Sequence, residues 1–240
     1  MVACALTDRG RKRENNQDSI CCVSTPVGNL PNLFIVADGM GGHQGGEFAS
    51  AFVIEAVVNA VREDTGNNPI TIMNRALQKA NKNLYEQSLS SPSLEGMGTT
   101  LVLACVEGET LYVSNIGDSR LYIINEEIRQ ITRDHSLVEE LVLQGKMERG
   151  SETYLEQKNI ITRAMGIKDQ VTVDFFEVEL EKGDILLLCS DGLSNMLEDE
   201  EIRDIVWKEE DFTSLPGKLV EAANNQGGRD NISVVLVKPE

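Results

Sequence analysis

The sequence predicts an α+β fold: a central antiparallel β-sandwich flanked by helix pairs on both sides, four layers deep (αββα), with one flap excursion. Three observations predict it. Short apolar, β-prone runs recur along the 240 residues, and in the middle of the chain four follow one another across hairpin-sized linkers. Consecutive hairpins mean antiparallel pairing and exclude a simple doubly wound sheet. Helical periodicities come in pairs, 47–62 with about 69–88, and 198–207 with about 214–225. Finally, a hydrophobic fraction of 41% is enough for a substantial core, and neither an internal repeat nor a long linker interrupts the chain. Residues 1–240 therefore read as one domain, with the flap at about 136–165.

In chain order, residues 2–8 and 19–25 read as strands joined by a polar turn. That turn holds Arg9, Arg11, Lys12 and Arg13, a basic cluster in an acidic chain. It fits a solvated loop or, more sharply, an anion-binding edge, since arginine suits bidentate phosphate contacts. The apolar run 33–37 then delivers Asp38 into a loop with Gly39, Gly41, Gly42, Gly45 and Gly46. A carboxylate at a strand end beside bare backbone suits a hard cation or a phosphate. Taken alone, it equally suits a strand-to-helix turn with one solvated aspartate.

Runs 99–106, 110–116, 120–125 and 127–131 read as the four hairpin-linked strands. Asp134, His135 and Ser136 are placed to cap a helix at 137–144. Residues 145–157 are polar and without clear period, which reads as a mobile excursion. Strands at 171–180 and 184–190 follow, and the second ends in Asp191-Gly192, repeating the logic of Asp38-Gly39. Gly227 to Asn231 turns into a last strand, 232–238.

Composition excludes several function classes. A net charge of −17 repels nucleic-acid phosphates. The five cysteines are odd in number, form no Cys-x-x-Cys and sit mostly in apolar runs, as reduced, buried thiols do. No Cys precedes a Gly-rich, Arg-terminated phosphate loop, which disfavours cysteine catalysis. No apolar run reaches membrane-spanning length and the N-terminus meets charge too soon for a signal peptide, so a cytoplasmic, membrane-free protein is expected. The only histidines are His43 and His135, too few for a His-rich zinc site. Any metal site must be oxygen-rich, which favours Mg²⁺ or Mn²⁺.

Five aspartates sit at strand–turn junctions: Asp18, Asp38, Asp118, Asp191 and Asp230. Each alone reads as an ordinary turn residue. Five together are better explained by a shared carboxylate cluster, which cations would have to hold against its own repulsion.

The segments Arg13-Glu-Asn-Asn-Gln-Asp18, Asp38-Gly-Met-Gly-Gly-His43, Gly98-Thr-Thr100, Gly117-Asp-Ser-Arg120, Ser190-Asp-Gly192 and Gly228-Arg-Asp-Asn231 resemble, in order and across the chain, the metal-dependent serine/threonine phosphatases of the protein phosphatase 2C family, in their bacterial form. The resemblance implies hydrolysis of phosphoserine and phosphothreonine in proteins by a metal-bridging hydroxide, opposing a bacterial Ser/Thr kinase, with phosphorylated proteins as partners and a monomeric enzyme. It implies two Mn²⁺ or Mg²⁺ ions and a third, weaker site. Asp38 would bridge both ions. Asp191 and Asp230 would complete one site; the Gly39 carbonyl and Asp18, the latter largely through water, would complete the other. Asp118 with Asp191 matches the third, and Arg13 matches the phosphate-binding arginine. Animal members place a His directly after the Asp-Gly pair, where Met40 stands here, so His43 and a metal-bound water are both candidates for the general acid. Arg149 and Arg163 are candidates to touch a phosphopeptide. The competing readings are a catalytically silent phosphatase-fold binding module and a phosphatase dedicated to one regulator, such as an anti-sigma-factor antagonist.

Overall fold

The computed structural model describes residues 1–42, 45–90 and 92–239. Strands β1 (Val2–Asp8) and β2 (Asp18–Val23) lead to β3 (Leu33–Met40), which carries on past Ala37 through Asp38 and Gly39. Helices α1 (Gly45–Glu63) and α2 (Pro69–Ser90) come next. A short β4 (Gly98–Thr99) precedes β5 (Leu101–Glu107), β6 (Thr110–Ile116), β7 (Arg120–Ile124) and β8 (Ile128–Gln130). The flap contains α3 (Leu137–Leu143) and α4 (Glu152–Gln157). Strands β9 (Asp174–Glu179) and β10 (Ile185–Cys189), helices α5 (Asp191–Ser194), α6 (Asp199–Lys208) and α7 (Leu215–Asn225), and strand β11 (Ile232–Lys238) complete the chain.

The strands form two antiparallel sheets, ordered β1-β11-β10-β7-β8 and β2-β3-β5-β6-β9, with β4 beside β3. Phe34, Val36, Val102 and Val113 of one sheet pack against Leu121, Leu186, Leu188 and Val235 of the other. Outside the second sheet, Val53, Val57, Ile72 and Leu77 of the α1/α2 pair cover Ile35, Leu101 and Leu103. Outside the first, Ile202, Val206 and Leu219 of the α6/α7 pair cover Tyr122, Leu187 and Val234. Each fully buried aliphatic side chain contributes about 1.5–3 kcal/mol by leaving water. Three apolar layers therefore bind the four layers expected from the sequence.

The hairpin expectation fails at one linker, and the failure matters. β5 and β6 do pair, with Glu107 opposite Thr110. β6 and β7 do not. Gly117, Asp118 and Ser119 carry the chain from one sheet to the other, so β6 pairs with β9 and β7 with β10. The polar turn between β1 and β2 also crosses between sheets, since β1 pairs with β11 and β2 with β3. The registers bring the ends of β3, β6 and β10 and the starts of β2, β7 and β11 to one edge of the sandwich, and every candidate aspartate lies there.

The flap also differs from the expected irregular excursion. Ser151 caps α4 by accepting from the Tyr154 N–H, but six residues are too few to leave a periodic signal. Ser136, within the expected capping segment, accepts from Glu139 N–H at the start of α3. The flap's stem is closed by Thr162 N–H to His135 C=O at 2.8 Å and Leu137 N–H to Ile160 C=O at 2.8 Å. All five cysteines are free thiols, and burial pushes those of Cys105 and Cys189 up to about 12. Among the described residues no helix is long and apolar enough to cross a membrane.

Candidate active site

β3 supplies the centre. Asp38 sits near its end, and its main chain is locked to the neighbouring strand. Its N–H donates to Thr100 Oγ1 at 3.0 Å, and its C=O accepts from Thr100 N–H and Thr99 Oγ1, both at 2.9 Å. The next residue has to be glycine, because a Cβ on Gly39 would collide with the carbonyl oxygens of Gly46 and Gln17.

Asp18 stands opposite Asp38 in the β2–β3 register. It is only 7% exposed, and its Oδ2 accepts a 2.7 Å hydrogen bond from Ser190 Oγ. Asp191 opens α5, directly after β10, and its Oδ2 accepts from Asn195 Nδ2 at 2.9 Å. Asp230 precedes β11. Its Oδ1 accepts from the Asn231 N–H, and its Oδ2 takes a 2.6 Å ion pair from Arg13 Nη2. Asn231 ties the Arg13 loop down by donating to the carbonyls of Arg9 and Asn15, both at 2.9 Å.

A cavity of about 310 Å³ is lined by Arg13, Asp38, Gly39, Asp118, Asp191 and Asp230. Asp18 lies behind this lining. His43 falls outside the described residues.

Electrostatics mark the cluster as unfinished. Burial, then the charges of Asp18, Asp191, Asp118 and Asp230, hold the Asp38 carboxyl well above the usual carboxylate range. Burial pushes Asp18 up to about 7, against the hydrogen bond from Ser190. Burial and the Asp191 charge push Asp118 up to about 8. Burial and the Asp230 charge push Asp191 up to about 6, against a hydrogen bond from Asp38. Among the described residues, Asp18 Oδ1 and Asp191 Oδ1 are buried with no hydrogen-bond partner. Orphaned buried carboxylate oxygens are costly, and a cation relieves both the repulsion and the lost hydrogen bonds. No three described His, Cys, Asp or Glu side chains close up far enough to hold an ion by themselves. Main-chain and water oxygens would have to complete the coordination, which suits Mg²⁺ and Mn²⁺ better than zinc. The donor set thus fits the hard cations expected from the sequence.

Sequence reasoning missed the supporting residues Ser190, Asn195 and Asn231 and one cation. Lys158, which closes α4 within the flap, is half-buried, and burial holds its ammonium below the usual lysine range despite the nearby Asp191 charge. Ser190 and Asn231 belong to segments already singled out, Asn195 lies one turn beyond Asp191, and nothing in the pattern marks Lys158. Arg149 and Arg163, candidates for peptide contact, are engaged elsewhere: Arg149 pairs with Glu139 at 2.6 Å and Arg163 with Asp174 at 2.7 Å. His135 packs rather than reaching the cavity. Its Nδ1 accepts from Gly117 N–H at 3.0 Å and its Nε2 faces Asp174 Oδ2 at 3.1 Å.

Two facing sheets between helix pairs, with a rim of aspartates whose orphaned oxygens suit divalent cations, are the arrangement expected of a metal-dependent hydrolase of phosphate esters. A family model for protein phosphatase 2C matches residues 7–236, and the chain belongs to that family. Protein phosphatase PhpP of Streptococcus pneumoniae serotype 2 is 42% identical over 237 residues, covering 97% of this chain and 95% of that protein. A solved serine/threonine phosphatase of S. agalactiae superposes with a TM-score of 0.92 at 36% identity, over 100% of this chain and 99% of that one. The catalytic domain of the serine/threonine protein phosphatase PstP, solved in complex with two manganese ions, superposes with a TM-score of 0.85 at 35% identity, over 98% of this chain and 96% of that one. Phosphatases of this family use Mn²⁺ or Mg²⁺.

Proposed function

We propose that this chain is a metal-dependent protein-serine/threonine phosphatase whose ions are held by Asp38, Asp191, Asp230, Asp18 and the Gly39 carbonyl, with Asp118 and Asp191 forming a weaker third site. The observation that carries the assignment is the pair of orphaned oxygens, Asp18 Oδ1 and Asp191 Oδ1, inside a carboxylate cluster. Divalent cations there supply charge neutralisation and make water a nucleophile near neutral pH. The chain's own contribution is positioning. Thr99 and Thr100 fix the Asp38 main chain, Ser190 fixes Asp18, and Asn195 fixes Asp191. Arg13 has five N–H donors and commits one to Asp230, which leaves others for the phosphoryl oxygens as their charge develops. His43 and cavity water are the two candidates for the proton delivered to the leaving serine or threonine oxygen.

The whole chain acts as one catalytic domain, with the flap spanning about 136–165. Its setting is a monomer in the cytoplasm that opposes a Ser/Thr protein kinase by acting on the kinase's phosphorylated substrates. A silent binding module has no use for a cluster that is costly without cations, and this favours the enzyme reading. The test is hydrolysis of p-nitrophenyl phosphate and a phosphothreonine peptide after EDTA stripping, with and without millimolar Mn²⁺. Mn²⁺-restored turnover of both is expected. Folded, metal-loaded protein that turns over neither would establish the silent module instead.

A further inference from the structure

A second cavity adjoins the catalytic one and has no part in the chemistry above. It measures about 430 Å³, within the range of ligand-binding clefts, and its lining combines the apolar Met40, Ile161, Ile167 and Val171 with the polar Arg163, Lys168 and Thr172. Met40 and Ile161 line both cavities, so the two are continuous. Met40 follows Asp38 by two residues on β3, and side chains at that spacing leave a strand on the same face, about 7 Å apart. A glycine sits beside the groove: a Cβ on Gly98 would collide with the Met165 carbonyl oxygen and press on Met40 Cε and Ile167 Cδ1, so only glycine lets these groups approach the backbone so closely. Ile167 is nevertheless 43% exposed, a large apolar side chain left uncovered at the mouth of the groove.

We propose that this groove binds an apolar side chain of the phosphoprotein substrate, close in sequence to the phosphorylated residue, and so sets substrate preference. The inference rests on the phosphatase reading of the neighbouring cavity. Spacing supports it: an extended peptide presents alternate side chains to one face at about 7 Å, the separation of Asp38 and Met40 along β3. A phosphorylated residue over the aspartates therefore sends a near neighbour over Met40. Charge supports it as well. A chain of net charge −17 gives an acidic phosphopeptide little long-range attraction, and Arg13 already spends one donor on Asp230. Apolar contact beside the phosphate adds attraction that does not depend on that charge, and the exposed Lys168 in the lining disfavours a basic neighbour.

The test uses the full chain with Mn²⁺ and a set of phosphothreonine peptides in which each flanking position carries Leu, Ser or Asp in turn. Hydrolysis of p-nitrophenyl phosphate, which has no flanking residues, is the internal reference. Leu at one near position is expected to raise kcat/KM over Ser by about tenfold. Ile167→Ser, and independently Thr172→Trp to fill the groove, should reduce that advantage to less than about twofold while p-nitrophenyl phosphate turnover stays unchanged. The groove assignment is overturned if no position prefers Leu, or if the preference survives both variants. Loss of p-nitrophenyl phosphate turnover in the unsubstituted protein would instead remove the phosphatase reading, and the groove proposal with it.

Discussion

Two polar clusters meet at Gly117 and Asp118, and they are built on opposite plans. At the base of the flap, His135, Asp174 and Arg163 satisfy one another. Gly117 N–H donates to His135 Nδ1, while His135 Nε2 lies 3.1 Å from Asp174 Oδ2 and 3.0 Å from Arg163 Nη1, which itself donates to Asp174 Oδ1. Burial holds the His135 ring below its ordinary range, and partly buried Asp174 is held below the usual carboxylate range by its hydrogen bonds from His135 and Arg163. Across Asp118 the other cluster has mostly carboxylates, with Asp18, Asp38, Asp118 and Asp191 pushed upward by burial and by one another and with Arg13 engaging Asp230. The first cluster is complete within the chain. The second leaves Asp18 Oδ1 and Asp191 Oδ1 without partners, and added positive charge would relieve it, which is what the proposed cation site requires.

The contrast breaks most sharply at Asp38. Asp38→Ala is expected to lower phosphopeptide turnover by at least about 10³-fold, with the circular dichroism spectrum unchanged. Near-normal turnover in that variant would dissolve the metal-centred reading of the cluster. Arg13→Ala should raise KM for phosphopeptides by about tenfold or more, the worth of one charged hydrogen bond, with little change in Mn²⁺ affinity. An unchanged KM would take Arg13 out of the phosphate site.

The two clusters also differ in their response to pH. The raised carboxyls hold protons in the folded state that the unfolded chain releases near 3.8. Their contribution to stability is therefore full below about pH 4 and is lost as the pH climbs through about 6 to about 8. The Tm of metal-free protein should fall over that interval, and Mn²⁺ should remove most of the fall. A Tm rising from pH 5 to 8 without metal would contradict the cluster's electrostatics. The smallest effect belongs to the self-contained cluster. His135→Ala strands the Gly117 N–H and should cost about 1–3 kcal/mol in urea unfolding.

Element types were largely legible in the sequence because their signals are local. Apolar runs marked ten of the strands, and the paired helices showed their period; the two-residue β4 was too short to register. What escaped depends on distant partners. A three-residue linker, Gly117 to Ser119, looks the same whether it closes a hairpin or crosses between sheets, and only the pairing of β6 with β9 decides. Helix α4 is too short to show a period. The carboxylate set was legible because each aspartate lies at or next to the end of an apolar run, beside a small or polar residue. The groove beside Met40 was not, since it is assembled from β3, Gly98 and the segment after the flap, which meet only in the folded chain.

The central claim is that the carboxylate rim is a cation site, and a Mn²⁺ titration of EDTA-stripped protein followed by electron paramagnetic resonance tests it most directly. The account predicts two ions bound per chain, with a weaker third, and loss of the tight binding in Asp38→Ala. Tight Mn²⁺ binding that survives Asp38→Ala, or no binding by the folded wild-type chain, would contradict it.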